Sequence, residues 1–352
     1  MGERAREVDV LLVGLGSTPG LRGADAELAR SLQRAGAQVA LATAAPPADV
    51  RTLMLTDLRW ARAARRAAAV VLARAAPRAV IYSSTTAALL WPRPGAIRFD
   101  APAAANRPGR HGLWQRPLEQ RRLRQAPLLL PWSAGALAEA GAIIDGRAEH
   151  ALVLPAPIEL AARSETDAPQ RDITALTYAG NPHKKGFDRV LAAWRAARRP
   201  GERLLVVGSS HQALLQAGFE LPDEDIDVVG SLPAERLRTL LRRTRVLLCA
   251  PRREDYGLIQ LEALADGCQL VTNVAPGPYV ALALARELDP RLVGEDLATA
   301  LRAALDAPRV DYAQCATELL APFGRAAADR LVAEELLPRL LGEWDGRRGP
   351  AN

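Results

Sequence analysis

The chain of 352 residues is long enough for two domains of ordinary size, and its 49% hydrophobic and 24% charged residues are typical of a folded protein. No run of about 18 uninterrupted apolar residues occurs, and residues 1–10 lack the apolar stretch of a signal peptide, so neither a spanning helix nor secretion is expected. Cys249, Cys268 and Cys315 have neither metal-ligand spacing nor a paired count, which indicates free thiols in a reducing compartment. We therefore expect a cytoplasmic protein.

Positive charge is concentrated in the first part of the chain. Residues 1–160 hold 21 arginines and no lysine against 13 acidic residues, whereas residues 161–352 hold 25 basic and 27 acidic residues. This imbalance predicts an anionic partner for the first part. The chain has only two lysines, the adjacent Lys184 and Lys185, and its other 44 basic residues are arginines.

The first part alternates short apolar runs with helical patterns. A continuous apolar run at 8–14 that ends in glycine is typical of a strand buried on both faces. Further strands are predicted at 37–44, 79–82, 95–99, 126–131 and 151–155. Helices are predicted at 25–35, 57–76 and 114–125.

A second alternation of the same kind follows a polar, proline-containing segment. We predict an N-terminal domain at 1–160, a linker at 161–172, a C-terminal domain at 173–325, and a last helix and tail at 326–352, for which packing back on the first domain is one hypothesis. Strands are predicted at 173–180, 202–208, 226–230, 244–250 and 268–273, with helices near 186–198, 233–242 and 257–266. Strands separated by helices of this length indicate parallel sheets. The expected fold is therefore α/β, with two Rossmann-like, doubly wound domains facing a cleft.

Two glutamates stand eight residues apart in the segment 251–267, directly after a predicted strand. Glu254 lies in the loop and Glu262 just over one turn into the predicted helix. Amides at a helix start favour a phosphate, and carboxylates accept hydrogen bonds from sugar and ribose hydroxyls. The arrangement fits a sugar–diphosphate–nucleoside that lies across the helix start. The alternative is a solvated loop acid and an unrelated surface glutamate.

The two lysines lie in a turn at the end of the strand predicted at 173–180, where this class of fold binds ligands. Gly186 follows them and precedes a predicted helix. Lysine is a compact point charge suited to a diphosphate. Two surface lysines placed by chance are the alternative.

Four motifs between 173 and 275 resemble, in order and spacing, the donor-binding domain of the retaining GT-B glycosyltransferases of family 4. They are the glycine–turn–KKG–helix unit at 180–186, VVGSS at 206–210, VVGSLPAERL at 228–237 and EDYGLIQLEALADG at 254–267. The resemblance implies that Glu254 contacts the transferred sugar, Glu262 the donor ribose and Lys185 the diphosphate. It also implies retention of configuration and catalysis without a metal or other cofactor, because lysine and the helix start replace the metal.

The resemblance implies further donor contacts from these residues: Gly16, Asn181, Lys184, Gly208, Ser231, and the backbone of Tyr256, Gly257 and Leu258. One departure concerns Asn181, because the family usually has an arginine there. Either Lys184 supplies the missing charge or the donor is bound more weakly.

The loop at 14–20 contains Gly14 and Gly16, but Pro19 stands at the third glycine of a dinucleotide fingerprint and no acidic residue ends the second strand. A nicotinamide-binding domain is therefore not expected. In the resembling family this loop approaches the donor phosphate, which makes Gly16 a candidate contact, with a simple tight turn as the alternative. Asp100 lies where the family often has a polar residue near the reacting carbon. It is a candidate catalytic residue, with a helix cap or a buried ion pair as the alternatives.

Two arginine clusters of the first part are candidates for acceptor recognition. One lies beside Trp60 and the other follows Trp114: Arg59, Arg62, Arg65 and Arg66, then Arg116, Arg121, Arg122 and Arg124. Basic amphipathic helices with tryptophan bind anionic lipid surfaces, so peripheral attachment to the inner face of the plasma membrane is one hypothesis and a solvated face is the other. Because this part lacks nucleic-acid motifs, no nucleic-acid partner is expected.

The expected function is transfer of a hexose-type sugar from a nucleoside-diphosphate sugar to an acceptor hydroxyl. The acceptor would be a lipid-linked or cell-envelope glycan precursor, another glycan or a small molecule. Two alternatives stay open. One is a nucleotide-sugar epimerase of the GT-B type, and the other is a non-catalytic sugar-nucleotide-binding protein, for which Asn181 is the only hint.

Overall fold

The computed structural model describes residues 8–48, 53–103, 109–144, 146–160, 170–221 and 223–342. Contacts divide the chain into two compact units, the first formed by Met1–Pro157 with Arg325–Asn352 and the second by Ile158–Gly324. Most of the predicted linker, residues 161–169, lies outside the described residues. None of the described helices is both long and apolar enough to cross a membrane.

The first unit contains a five-stranded parallel sheet. Its strands are β1 (Val10–Gly14), β2 (Val39–Thr43), β3 (Ala79–Tyr82), β4 (Ala96–Phe99) and β5 (Leu129–Pro131), in the order β2-β1-β3-β4-β5. These five strands and their parallel pairing are as predicted. The segment 151–155 is not a strand as predicted, although it lies along β5: Ala151 and Leu129 form an isolated bridge, and the Leu152 and Leu154 amides donate to the carbonyls of Leu129 and Pro131, both at 2.8 Å. Pro155 and Pro157 lack the amide hydrogens that would continue a ladder.

Helices flank this sheet. They are α1 (Pro19–Arg34), α2 (Leu53–Leu72), α3 (Thr85–Ala88), α4 (Gln115–Gln125) and α5 (Ala134–Ile144). The prediction placed the start of α1 too late, at residue 25. Thr18 Oγ1 accepts a hydrogen bond from the Leu21 amide at 3.2 Å, and Pro19 occupies the first position of the helix. Helices α3 and α5 were not predicted.

The second unit contains another five-stranded parallel sheet. Its strands are β6 (Ile173–Tyr178), β7 (Leu204–Val207), β8 (Ile226–Gly230), β9 (Thr244–Cys249) and β10 (Gln269–Thr272), in the order β10-β9-β6-β7-β8. Its helices are α6 (Phe187–Ala197), α7 (His211–Gln216), α8 (Ala234–Arg243), α9 (Leu258–Ala265), α10 (Val280–Leu288), α11 (Leu297–Asp306) and α12 (Tyr312–Leu320). The five strands and the helices α6, α8 and α9 lie where they were predicted. The other four helices were not predicted.

The C-terminal segment packs within the first unit. It consists of α13 (Arg325–Leu331), a π-helical turn (Val332–Leu336) and α14 (Leu337–Leu341). Val332 and Leu336 join the core cluster that contains Leu28 of α1. Arg34 of α1 binds Asp329 at 2.7 Å, so apolar burial and an ion pair both hold the segment on α1.

Each sheet has a point at which the winding of the chain reverses. Strand β1 lies between β2 and β3, and β6 lies between β7 and β9. At such a point the loops that leave the two central strands diverge and open a crevice at the carboxyl edge of the sheet. In the second sheet the loops after β6 and β9 therefore border this crevice from its two sides.

Candidate active site

The lysine turn (residues 179–186) joins β6 to α6. The Asn181 side-chain oxygen accepts a hydrogen bond from the Lys184 amide at 3.1 Å, and the Asn181 carbonyl accepts one from the Lys185 amide at 2.8 Å. Gly186 has a φ of 61°, and a Cβ there would overlap the carbonyl oxygen of Ala250. Glycine therefore lets the turn lie directly against the end of β9.

Two buried carboxylates after β9 bind the two lysines. Lys185 Nζ lies 2.5 Å from Glu254 Oε2, and Lys184 Nζ lies 2.7 Å from Asp255 Oδ2. Asp255 Oδ1 also accepts a hydrogen bond from Arg253 Nε at 2.7 Å. Glu254 is 6% exposed and Asp255 is 4% exposed, so these charge-assisted bonds form where water is largely excluded. Asp255 was not predicted as a site residue, and its place beside Glu254 was the only signal for it.

The Glu254 carboxylate is held in one orientation. Its Oε2 accepts hydrogen bonds from Lys185 Nζ and from Gln260 Nε2, the latter at 3.1 Å. Its backbone amide donates to the carbonyl of Pro276 at 3.1 Å. Oε1 forms no hydrogen bond with any residue that the structure describes. This oxygen is therefore available to accept a hydrogen bond from a ligand hydroxyl.

Helix α9 begins directly after this loop. Gly257 precedes its first residue with a φ of 92°, and no side chain caps the helix. A Cβ at position 257 would lie 2.9 Å from Cε2 of Tyr279, whose hydroxyl pairs with Thr272 Oγ1 at 3.0 Å. Tyr256, Gly257 and Leu258 thus form a helix start of the kind that binds phosphates through backbone amides.

Glu262 lies further along α9. Burial raises the pKa of its carboxyl above the ordinary value of 4.5, and the nearby Arg238 opposes this shift. Arg238 is itself bound to Asp266, with Nε 2.5 Å from Oδ2 and Nη2 2.8 Å from Oδ1. Because Arg238 is engaged by Asp266, its attraction for Glu262 is weakened and the effect of burial on the pKa prevails.

Gly208 and Ser231 lie at the carboxyl ends of β7 and β8, next to the lysine turn. Ser231 Oγ donates to the Gly208 carbonyl at 3.3 Å. A Cβ at Gly208 would lie 2.6 Å from the Tyr178 ring and 2.9 Å from the Gly180 nitrogen. The carboxyl edge of the second sheet thus carries most of the predicted site residues: Asn181, Lys184, Lys185, Gly208, Ser231, Glu254, Tyr256, Gly257 and Leu258.

Gly16 and Asp100 lie at the carboxyl edge of the first sheet, in the other unit. Gly16 has a φ of 62°, and its carbonyl accepts a hydrogen bond from Arg22 Nη1 at 2.7 Å. Asp100 follows β4, and its Oδ1 accepts a hydrogen bond from the Ala101 amide at 2.9 Å. These contacts belong to local turns, and the roles predicted for both residues stay predictions.

A buried polar cluster that was not predicted lies at this edge of the first unit. Asp25 Oδ2 accepts a hydrogen bond from Ser83 Oγ at 2.9 Å, and Asp25 Oδ1 lies 3.7 Å from Arg98 Nη1. The Arg98 guanidinium also lies 4.6 Å from the centroid of the Trp132 ring. Burial outweighs the attraction of Arg98 and raises the pKa of Asp25 to about 6.

The two arginine clusters have different surroundings. In the second cluster, Arg122 Nε donates to the Leu89 carbonyl and Arg124 Nε to the Ile143 carbonyl, both at 3.0 Å, so these side chains brace the backbone around them. In the first cluster, Trp60 packs against the hydrophobic core. It is therefore not displayed as a membrane anchor, and attachment to an anionic membrane stays a prediction.

Solved structures similar to this chain include WaaG, a glycosyltransferase involved in lipopolysaccharide biosynthesis, and the sucrose-phosphate synthase of Thermosynechococcus elongatus. The match to WaaG has a TM-score of 0.66 at 15% identity and covers 92% of this chain and 99% of WaaG. The match to the synthase has a TM-score of 0.65 at 16% identity and covers 96% and 100% of the two chains. At these identities the likeness defines the fold, an α/β protein with two parallel-sheet Rossmann-like domains whose structural neighbours are GT-B glycosyltransferases.

The family comparison concerns the second unit. Residues 160–306 match the family model described as glycosyl transferases group 1. The D-inositol 3-phosphate glycosyltransferase of Mycobacteroides abscessus is 33% identical in an alignment of 159 residues, with a coverage of 38% of this chain and 36% of that protein. The chain thus spans little more than a third of this curated relative. The second unit is therefore similar to the glycosyl transferases group 1 family over residues 160–306, the region that holds the four motifs.

Proposed function

We propose that this protein transfers a hexose-type sugar from a nucleoside-diphosphate sugar to an acceptor hydroxyl, with retention of configuration and without a metal cofactor. The observation that carries the proposal is the contact between Lys185 and Glu254 beside the start of α9. A fixed cation, an oriented carboxylate and a helix start match the diphosphate and the hydroxyls of such a donor. The match to the glycosyl transferases group 1 model supports the same reaction class.

Each part of the donor has a candidate partner in the second unit. The diphosphate would be bound by Lys185 Nζ and the first amides of α9, where the helix dipole favours negative charge. A sugar hydroxyl would donate to Glu254 Oε1, while Oε2 stays bound to Lys185 and Gln260. The ribose hydroxyls would donate to Glu262.

The proposed reaction is a substitution at the anomeric carbon. The bond to the acceptor oxygen forms on the face from which the diphosphate oxygen departs, and the acceptor proton passes to the departing diphosphate. Negative charge grows on the diphosphate as its bond breaks. Lys185 and the helix amides are already fixed near that charge, so they stabilise it without rearranging.

Two substitutions test this assignment. We expect Lys185→Met and Glu254→Gln each to lower kcat/KM about 100-fold or more, the range found when a preorganised partner of developing charge is removed. Arg203→Gln is the control, because Arg203 forms an exposed ion pair with Asp227 at the amino end of β7. Circular dichroism and thermal unfolding would show that the variants are folded. Turnover close to wild type in either site variant would contradict the assignment.

Ligand panels and product analysis separate the related functions. UDP-, GDP-, ADP- and TDP-sugars should differ in how much they raise the melting temperature, because the donor binds the native state. An epimerase would change the nucleotide sugar without any acceptor. A non-catalytic protein would bind it and leave it unchanged in the presence of acceptors.

A further inference from the structure

We propose that a groove on the first unit binds a small phosphate monoester that also has an apolar part. The inference rests on the proposed function, in which this ligand would be the acceptor. The groove lies between α2 and the residues that follow β2, and its volume of about 630 Å³ is in the range of small-molecule sites. Its lining consists of Thr43, residues 45–48 and one face of α2 between Arg59 and Val70.

Three arginines of α2 give the groove a positive charge. Arg59, Arg62 and Arg66 are three and four residues apart, so they share one face of the helix and repel one another. None of the described lining residues is acidic. Asp57 is the only acidic residue of α2, and it is buried, where it accepts a hydrogen bond from Gln115 Nε2 at 2.6 Å. The charge of this face therefore favours an anion.

The arginines have guanidinium groups that a ligand can reach. Arg62 and Arg66 are exposed and form no hydrogen bond or ion pair with a residue that the structure describes. Arg59 Nη1 donates to the Ala48 carbonyl at 2.9 Å, which holds the segment after β2 against α2 without neutralising the charge. Planar guanidinium groups match the oxygens of a phosphate, so this triad is suited to a phosphate group.

The remaining lining is apolar and defines the other part of the ligand. Pro46 and Pro47 form one wall, and Ala63, Ala67 and Val70 form the other. Val70 is 53% exposed, so its side chain offers apolar surface to a ligand in the groove. The helical rise places Val70 about 16 Å from Arg59 along α2. A ring or short chain would lie along this wall while the phosphate meets the arginines.

The position of the groove agrees with a role in the proposed reaction. Thr43 ends β2 at the carboxyl edge of the first sheet, where α/β proteins of this kind bind ligands. A Cβ on Gly16 would lie 2.9 Å from Thr43 Cγ2, so the glycine loop adjoins the mouth of the groove. Arg65 is also exposed on α2 but does not line the groove, which makes it a matched control.

The test uses phenyl phosphate as the probe and benzyl alcohol as its neutral counterpart, titrated calorimetrically into the full chain without nucleotide sugar. We expect phenyl phosphate to bind and benzyl alcohol not to bind. The double variant R62Q/R66Q should lose about tenfold or more in affinity, and Arg65→Gln less than about twofold. Binding should weaken as salt is raised.

Other outcomes would overturn the proposal. One is that phenyl phosphate does not bind, and another is that benzyl alcohol binds as tightly as phenyl phosphate. A third is that Arg65→Gln loses as much affinity as R62Q/R66Q, which would indicate a general attraction of anions to the helix. The protein and its variants would also be pelleted with vesicles that contain about 30% phosphatidylglycerol. If this binding needs Arg65 as much as Arg62 and Arg66, the face binds a membrane surface instead of a phosphate monoester. Stabilisation by whichever UDP-, GDP-, ADP- or TDP-sugar stabilises the wild type most, measured in the same variants, should be unchanged. If none of these sugars stabilises the wild type or any variant, that result would count against the proposed function and leave the phosphate site standing.

Discussion

Replacing Gly186 by alanine tests whether the lysine turn must lie against the end of β9. The residue has a φ of 61°, which costs an L-amino acid about 1–2 kcal/mol. The new Cβ would also overlap the carbonyl oxygen of Ala250, a backbone atom that cannot rotate away. Overpacking of this kind adds about 1–3 kcal/mol. The total loss of unfolding free energy is therefore expected to be about 2–5 kcal/mol, the sum of the two ranges.

Gly201→Ala is the matched control, and the difference between the two variants gives the steric part of the loss. Gly201 has a φ of 84°, but no atom lies within 4 Å of the position of its Cβ, so only the conformational cost applies. Urea unfolding followed by circular dichroism gives both free energies, and stabilisation by the preferred UDP-, GDP-, ADP- or TDP-sugar reports the site. We expect Gly186→Ala to be the less stable variant and to lose donor stabilisation, while Gly201→Ala keeps it. Equal stability of the two variants, with donor binding intact in both, would refute the close contact between the turn and β9.

Three further predictions follow from ionisable groups. Burial raises the pKa of Glu262 above 4.5, so its carboxylate becomes protonated at a higher pH than that of an ordinary glutamate. As pH is lowered, the donor affinity measured by calorimetry should therefore begin to fall at that higher pH, and Glu262→Gln should remove this dependence. Asp25 has a folded pKa of about 6 against an ordinary 3.8, so its contribution to stability is lost as pH rises from about 4 to 6. That loss is about 3 kcal/mol in the free energy of unfolding. The pH profile of unfolding of Asp25→Asn should lack it. The overall stability of this variant should be lower, because Arg98 stays buried without a carboxylate partner. Burial raises the pKa of Cys249 and of Cys268 to about 12, so a thiol reagent should label Cys315 alone in the native state and all three thiols in guanidinium.

The parallel strands could be predicted because they read as short, largely apolar runs between glycines and helical patterns. Central strands such as β1 and β9 are buried on both faces, whereas the edge strands β2 and β8 are partly exposed. The segment 280–320 shows the limit of that reasoning. Helix α10 has no side-chain cap to mark its start, and seven of its nine residues are apolar, so it was missed although Ala281, Leu282, Ala285 and Leu288 are buried at helical spacing. Helix α11 did have a readable start, because Asp296 accepts a hydrogen bond from the Thr299 amide at 3.0 Å.

The site was predictable as a set of residues and not as a set of contacts. The sequence places Lys185 and Glu254 in separate loops, and only the strand order, with β9 next to β6, puts them together. The pairing of Lys184 with Asp255 needed the same information. The cluster of Asp25 and Arg98 joins α1 to β4 and has no local signature at all.

The contacts of the lysine turn give a physical reason for asparagine at position 181. Asn181 accepts the Lys184 amide through its side-chain oxygen, and arginine has no acceptor with which to close the turn in this way. Lys184 and Arg253 both contact the Asp255 carboxylate, so these three residues keep one net positive charge beside the turn. For the proposed donor, this charge would add to the attraction of Lys185 and of the α9 amides. Such short-range, partly buried bonds are screened by salt less than exposed charges are, so donor binding would depend on geometry more than on net charge.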